Sequence, residues 1–181
     1  MVEYRTYHAS APMNAEKREQ VLAIMQEAFP PTERRTTEGQ RALLLHPLYR
    51  VHTVEEDGKI LGFMAAWDLQ GLTFFEHFAV DSALRGRRIG GEFLDRLLRS
   101  EEKPVALEVE LPEDELTRRR IAFYERHGLR LNEREYRQLP LRPGDGSTPM
   151  YLMSWPDPLK DEDFDHARRD IYRHVYGAEE V

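Results

Sequence analysis

The sequence predicts an α+β fold of three layers, in which a mixed, mostly antiparallel sheet of about seven strands lies between helices on both faces. Strand-like segments covering residues 49–80 are joined by the turns Asp57-Gly58 and Gln70-Gly71, which indicates an antiparallel meander. A helical pattern and the alternating segment 104–111 follow. Since a strand, a helix and a further strand form a right-handed unit, we expect one parallel pair at the centre.

The composition is that of a folded protein with a single core. The chain has 181 residues, of which 40% are hydrophobic and 33% charged, and it contains no cysteine. The missing thiols exclude disulfides and favour a cytoplasmic location. The net charge of -7 argues against a nucleic-acid partner, and no apolar run is long enough for a membrane span. No histidine pair has metal-site spacing, so we expect no metal.

The first part of the chain predicts one strand and two helices. The strand covers Glu3 to His8, and Asn14 is positioned to cap the first helix, which continues to Phe29. Pro30-Pro31 ends that helix, and a second helix is expected from Glu33 to Leu45.

The later elements follow the meander. We expect a helix, a strand, a further helix ended by Gly128 and two antiparallel strands, over 90–100, 104–111, 113–127, 129–139 and 149–155.

The tail predicts an amphipathic helix added to the domain. We expect a domain over residues 1–156 and a helical extension over residues 157–181. The helix is indicated by apolar residues at helical spacing, namely Phe164, Ala167, Ile171, Tyr172 and Val175. We expect it to pack on its own domain, with a second subunit as the alternative, so both monomer and homodimer remain open.

The turn before the helix at residue 90 has the features of an anion site. It is rich in arginine and glycine, and its residues are Arg85, Gly86, Arg87, Arg88, Ile89, Gly90 and Gly91. N–H groups in the first turn of a helix have no partner in the helix and lie at the positive end of its dipole. A phosphate can therefore bind there through the main chain.

Two segments resemble the GCN5-related N-acetyltransferase (GNAT) family. Residues 80–91 resemble the loop that binds the pyrophosphate of acetyl-CoA, and residues 120–129, Arg-Ile-Ala-Phe-Tyr-Glu-Arg-His-Gly-Leu, are similar to the family's Ala-x-x-Phe-Tyr-Glu-x-x-Gly-Phe segment. With the element order, the resemblance covers about Glu3 to Trp155. It departs at Arg88, where the family has glycine, and at Thr117, where many members have an asparagine that binds the pantetheine arm.

The resemblance implies an enzyme that uses acetyl-CoA as co-substrate. It would transfer the acetyl group by direct attack of a primary amine of a small molecule or peptide. The resemblance assigns Tyr124 as the acid that protonates the departing thiolate. It assigns the backbone of Phe78, Ala79 and Val80 to the pantetheine arm and the thioester carbonyl, and residues 85–91 to the pyrophosphate.

Glu76 is the candidate acceptor of the amine proton, directly or through a water. It occupies the position at which some polyamine-acetylating relatives have a glutamate, and an apolar setting would raise the pKa of its carboxyl. The alternative is a structural carboxylate paired with an arginine. His77 should point to the opposite face of the strand, as a packed or surface histidine.

Glu108 and Glu110 remain open at this level. They point away from the apolar face of their strand and could attract a cationic acceptor or simply be solvated.

Two other functions also remain open, namely a noncatalytic acyl-CoA-binding regulatory module and transfer of a longer acyl group.

Overall fold

The computed structural model describes residues 1–84 and 86–178. Within them, seven strands form one sheet in the order β1-β2-β3-β4-β5-β7-β6. The strands are β1 (Val2–His8), β2 (Tyr49–Glu56), β3 (Lys59–Asp68), β4 (Thr73–Val80), β5 (Val105–Glu110), β6 (Arg130–Gln138) and β7 (Thr148–Trp155). All neighbours are antiparallel except β4 and β5, which are parallel. The predicted mixed sheet is confirmed.

Helices cover both faces of this sheet. They are α1 (Ala15–Ala28), α2 (Thr37–Leu43), α3 (Ile89–Ser100), α4 (Glu115–Arg126) and α5 (Asp161–His174). Buried residues of α1 and α5 form a first core on one face, and those of α3 and α4 form a second core on the other. The expected single core is thus divided in two, because the sheet lies between the helix layers. None of the described helices is long and apolar enough to cross a membrane.

The second helix is shorter than expected. Where the sequence predicted a helix from Glu33 to Leu45, a 3₁₀ turn covers Pro31–Glu33 and α2 begins at Thr37. The Thr36 side chain accepts a hydrogen bond from the Gly39 N–H at 3.1 Å and so caps a new helix start. The intervening residues 34–36 form an extended connection, which carries Arg35 towards the sheet.

The residues predicted to form helix caps and turns adopt the expected conformations. The Asn14 side chain accepts a hydrogen bond from the Lys17 N–H at 2.9 Å. Asp57 and Gly58 both have positive φ angles, of 50° and 80°, as a tight hairpin turn requires. Gly128 ends α4 with a φ of 88°.

The C-terminal helix packs on the first core. Its apolar residues are buried, namely Phe164, Ala167, Ile171, Tyr172 and Val175. Residues 179–181 of the expected extension lie outside the described residues, and the division into a domain and an extension stays a prediction.

The parallel pair β4 and β5 is short. Pairing joins Thr73 to Val105, Phe74 to Ala106 and Phe75 to Leu107. Beyond these pairs, the two strands continue to Val80 and Glu110 without pairing to each other in the described part of the chain. The sheet is therefore open at the carboxyl ends of its parallel strands, which is where α/β sheets bind ligands.

Gly62 on β3 lies close to the backbone of β4. A Cβ atom at this position would lie 2.9 Å from the Ala79 carbonyl oxygen and 3.2 Å from the Val80 Cα. We expect Gly62→Ala to lower the free energy of unfolding by about 1–3 kcal/mol, because the strands must move apart. Urea denaturation measures the change.

Gly71→Ala is the matched control. No atom lies within 4 Å of the corresponding Cβ position, so this change should leave stability unchanged or raise it slightly by lowering the entropy of the unfolded chain. Equal unfolding midpoints for the two variants would contradict the steric argument.

Candidate functional site

A β-bulge lies in β4 at the open end of the sheet. Ala65 pairs with His77 and Ala66 with Phe75, so Glu76 is an extra residue with no partner of its own on β3. Bulges change the direction of side chains and are frequent next to active sites.

The bulge places Glu76 and His77 on the same side of the sheet. Glu76 contacts Trp67 of the first core, and the His77 ring packs edge-on against Phe29 at 4.8 Å, also on that side. Phe78 then faces the second core. The expectation that Glu76 and His77 point to opposite faces is therefore wrong, because the extra residue interrupts the alternation.

A cavity of about 170 Å³ lies where β4 and β5 separate. Its walls come from the connection after α1, from β4, β5 and α4, and from β6. The polar residues that line it are Glu33, Glu76, His77, Glu108, Glu110, Arg120, Tyr124 and Gln138. The structure thus brings the two predicted catalytic residues, Tyr124 and Glu76, to one cavity.

Glu76 is held in a buried ion pair. Its side chain is 3% exposed; Arg35 Nη1 donates to Oε1 at 2.8 Å and the Trp67 indole N–H donates to Oε2 at 3.0 Å. Although burial alone would raise the pKa of this carboxyl, Arg35, with help from His77 and Trp67, lowers it to about 2. The expected rise in the pKa of Glu76 is wrong, and a carboxylate of this kind is a weak proton acceptor.

His77 has one nitrogen without a hydrogen-bond partner. Its Nε2 lies 2.7 Å from the Glu33 carbonyl oxygen, which can only accept, so Nε2 carries the proton. The Nδ1 atom is buried and has no hydrogen-bond partner among residues 1–84 and 86–178; it lies 3.6 Å from Glu76 Oε2. His77 is thus a packed histidine whose ring orders the connection that contains Glu33.

Glu108 is surrounded by neutral donors. The Tyr136 hydroxyl donates to Oε1 at 2.6 Å, Gln138 Nε2 donates to Oε2 at 2.8 Å, and the Tyr176 hydroxyl lies 2.8 and 2.9 Å from the two oxygens. Burial raises the pKa of Glu108 in spite of these donors. Of the two alternatives for Glu108, full solvation is therefore excluded.

Tyr124 lies beside the same cavity on α4. Burial raises the pKa of its phenol to about 12, although Arg120 opposes the rise. Its ring packs edge-on against Phe123 at 5.4 Å, and Phe123 stacks on Phe78 of β4 at 6.4 Å. The phenol therefore carries its proton at neutral pH, on a ring fixed by aromatic contacts.

The loop before α3 contains two residues with positive φ angles. Arg88 directly precedes the helix with φ 59° and ψ 7°, the left-handed conformation in which glycine is favoured. Gly86 has a φ of 87°. A Cβ at Gly91 would lie 2.9 Å from His127 Cε1, so α3 packs tightly on α4. Arg85 lies outside the described residues.

The backbone of β4 beyond the bulge is available to a ligand. The Asp81 N–H donates to the Leu61 carbonyl at 2.8 Å, and the polar groups of an antiparallel strand alternate between its two sides. The N–H groups of Phe78 and Val80 therefore point towards the opening. That of Ala79 points towards β3.

Thr117 has a structural role here. Its hydroxyl lies 3.2 Å from the Asp114 N–H, and its own N–H donates to Asp114 Oδ1 at 2.8 Å, which completes a capping box. The hydroxyl thus stabilises the start of α4.

Comparisons with known proteins agree with this geometry. Residues 47–130 match the family model described as an acetyltransferase (GNAT) domain. A putative GNAT-family acetyltransferase from Bacteroides thetaiotaomicron is 31% identical, with a TM-score of 0.90, over 98% of this chain and 99% of that one. The chain belongs to the GNAT family of acetyltransferases. A comparison with curated protein sequences gives no match.

More distant structures share the fold of this GNAT protein. The ribosomal-protein-S18-alanine N-acetyltransferase of Escherichia coli is 19% identical over 90% of this chain and 98% of that one, with a TM-score of 0.59. NAA60 of Arabidopsis thaliana in complex with acetyl-CoA is 16% identical over 86% and 98%, with a TM-score of 0.62.

Several polar residues of this GNAT site were missed by sequence reasoning. Arg35 and Trp67 come from separate elements and meet Glu76 only in the fold. Tyr176 lies 68 residues from Glu108 along the chain. A short motif contains no signal for such contacts. For Glu33 there was a signal, because the charged loop from Pro30 to Arg35 is predicted by its composition to be able to face a substrate.

We expect Arg35→Met to lower the free energy of unfolding by about 3–5 kcal/mol, because it leaves the Glu76 carboxylate buried and unpaired. Urea denaturation at neutral pH measures this loss. The control is Arg41→Met, which breaks an ion pair with Glu19 whose side chains are 48% and 53% exposed and should cost less than about 1 kcal/mol. Similar losses in both variants would show that burial of the Arg35 pair has no effect.

Proposed function

We propose that this protein transfers an acetyl group from acetyl-CoA to a primary amine of a small molecule or peptide by direct attack. The observation that carries the proposal is the separation of β4 from β5 beyond Phe75, with Tyr124 and the acidic cavity at the opening. This arrangement offers a main-chain edge for one substrate and a polar cavity for the other. NAA60 has this fold and holds acetyl-CoA.

The residues at the opening fit the parts of acetyl-CoA. The outward N–H groups of Phe78 and Val80 would bind the pantetheine arm as an added strand does, and they would polarise the thioester carbonyl. The first-turn N–H groups of α3, with Gly90 and Gly91, would bind the pyrophosphate. Arg87 and Arg88 add positive charge there, and Arg85 is included from the family resemblance alone. The polar main-chain groups of Ala79 face β3, so Ala79 would contribute by keeping β4 paired to the sheet.

The acetyl group would pass from the sulfur of acetyl-CoA to the amine nitrogen in one step. The amine nitrogen attacks the thioester carbonyl carbon, a C–N bond forms and the C–S bond breaks. The amine proton passes to a base, and the departing thiolate takes a proton from the Tyr124 hydroxyl. With its pKa raised to about 12, the phenol is fully protonated when the thiolate leaves.

Glu33 is a better candidate base than Glu76. Its carboxylate lines the cavity and forms no ion pair within the described residues, whereas Glu76 is held by Arg35. Burial and the neighbouring Glu110 raise the pKa of Glu33, which brings it nearer to the range useful for proton transfer. Glu76 then acts in positioning, by holding Arg35 beside the cavity.

The first test is Tyr124→Phe. Calorimetry with acetyl-CoA, followed by thiol release against a panel of amines, should show binding and turnover by the wild type. We expect the variant to bind acetyl-CoA as the wild type does and to lose about 10²–10⁴-fold in kcat, as for other general acids. No binding at millimolar acetyl-CoA would refute the proposal. Binding without turnover on any amine would instead support an acyl-CoA-binding module.

The second test is the pH profile of Glu33→Gln. Glu33 must be ionised to accept a proton, so kcat/KM of the wild type should fall as the pH drops through the raised pKa of Glu33. The glutamine variant should be slower by about 10²-fold or more and should lose this acidic limb. If Glu33→Gln keeps the acidic limb of the pH profile, the limb arises from the titration of another group. Glu38→Gln, an exposed acid in the first turn of α2, is the control and should leave the profile unchanged.

A further inference from the structure

The cavity contains more negative charge than the protein neutralises. Four glutamates line it, namely Glu33, Glu76, Glu108 and Glu110. Arg35 pairs with Glu76, and Arg120 Nη1 pairs with Glu110 at 2.6 Å. Among residues 1–84 and 86–178, no basic side chain forms an ion pair with Glu33 or Glu108. The carboxylates of Glu33 and Glu108 are thus left without a protein cation and can attract a cationic ligand.

Glu108 is the more deeply placed of these two. Its partners are three neutral side chains that all direct hydrogen atoms at the carboxylate, so they order it without neutralising it. A buried carboxylate without a cation is costly, and a bound ammonium or guanidinium group would relieve that cost.

A second observation also points to a polar ligand in this cavity. The His77 Nδ1 atom, in a side chain 4% exposed, lies 3.6 Å from Glu76 Oε2 and has no hydrogen-bond partner in the described part of the chain. His77 lines the same cavity. A buried ring nitrogen that lacks a hydrogen-bond partner indicates that a polar group of a ligand can bind there.

The C-terminal segment, residues 172–178, reaches both buried carboxylates. Tyr176 contacts both oxygens of Glu108, and Arg35 Nη2 donates to the Val175 carbonyl at 3.0 Å while its Nη1 binds Glu76. The Ala178 N–H donates to the Tyr172 carbonyl at 2.9 Å and closes the segment on α5. The tail is therefore connected to the cavity by direct hydrogen bonds.

We propose that Glu108 binds a second cationic group of the acceptor and that the C-terminal segment positions Glu108 through Tyr176. This inference rests on the proposed function. The amine that attacks must be neutral and cannot compensate Glu108 during the reaction, whereas a second ammonium keeps its charge throughout. The acceptor class is then a compact primary amine with a further ammonium or guanidinium group. Glu108 is a specificity-determining residue and Tyr176 a positioning residue.

The experiment compares two acceptors of equal length with the full chain. Diaminobutane has amines at both ends, and aminobutanol has a hydroxyl in place of the second amine. We expect the wild type to favour diaminobutane by about 10- to 100-fold in kcat/KM, the range for a hydrogen bond to a charged group. Glu108→Gln should lower kcat/KM for diaminobutane to the level of aminobutanol and leave aminobutanol unchanged.

Tyr176→Phe tests the role of the C-terminal segment. It removes one donor to Glu108, so KM for diaminobutane should rise about 3- to 10-fold with kcat nearly unchanged. The matched control is Tyr7→Phe, which removes a tyrosine-to-glutamate hydrogen bond of the same kind, to Glu55 at 2.9 Å, outside the cavity. Tyr7→Phe should leave both acceptors unaffected, and unfolding midpoints confirm that each variant is folded.

The outcomes separate this inference from the proposed function. Equal use of the two acceptors by the wild type, or an equal loss on both in Glu108→Gln, would overturn the inference while acetyl transfer stands. If no acceptor is acetylated, calorimetry with diaminobutane in saturating CoA decides. Binding that Glu108→Gln abolishes would keep Glu108 as the cation site without catalysis, and no binding would overturn the inference.

Discussion

The opening between β4 and β5 is the constraint on which the site depends. Three residue pairs hold the strands together at their start, and each strand then continues on its own. One edge of β4 is thereby left with N–H groups that are not used by the sheet, and the space beside β5 becomes a cavity. Main-chain groups with no strand partner are costly unless water or a ligand binds them. The same separation therefore creates both halves of the site.

The bulge at Glu76 changes which side chains of β4 point towards the first core next to this opening. The extra residue places Glu76 and His77 on one side, where Arg35 and the Glu33 carbonyl meet them. The connection after α1 is thus tied to the sheet by an ion pair and a hydrogen bond. Because the Arg35 guanidinium also binds the Val175 carbonyl, one buried cation joins the N-terminal connection, the central strand and the tail. The connection and the strand line the cavity, and the tail supports them from behind through Arg35.

The distribution of charge in the cavity follows from these contacts. Glu76 and Glu110 each have an arginine, so their charges are compensated, while Glu108 has only neutral donors. Burial raises the pKa of both groups that are proposed to transfer protons. It raises the pKa of Tyr124 and keeps the phenol protonated, and it raises the pKa of Glu33 towards a range in which a carboxylate accepts protons. The acid and base roles proposed for Tyr124 and Glu33 therefore both depend on burial.

The amount that could be predicted differs between the fold and the site. Element order, the parallel pair, the loop before α3 and the position of Tyr124 were all readable, because periodicity, turn residues and short motifs are local properties. The bulge was not readable, since it depends on the pairing between β3 and β4, and it reversed the expected direction of His77. The pKa of Glu76 was predicted in the wrong direction because its partner, Arg35, comes from 41 residues away.

Residues close together in the chain were enough to predict the family, a candidate anion site in the loop before α3 and the aromatic residue Tyr124 on α4. Which carboxylates are neutralised became visible only in the folded protein. The tertiary structure also decided that the tail reaches Glu108. The physical reason is that charge compensation and burial depend on neighbours from distant elements, and packing alone brings those together.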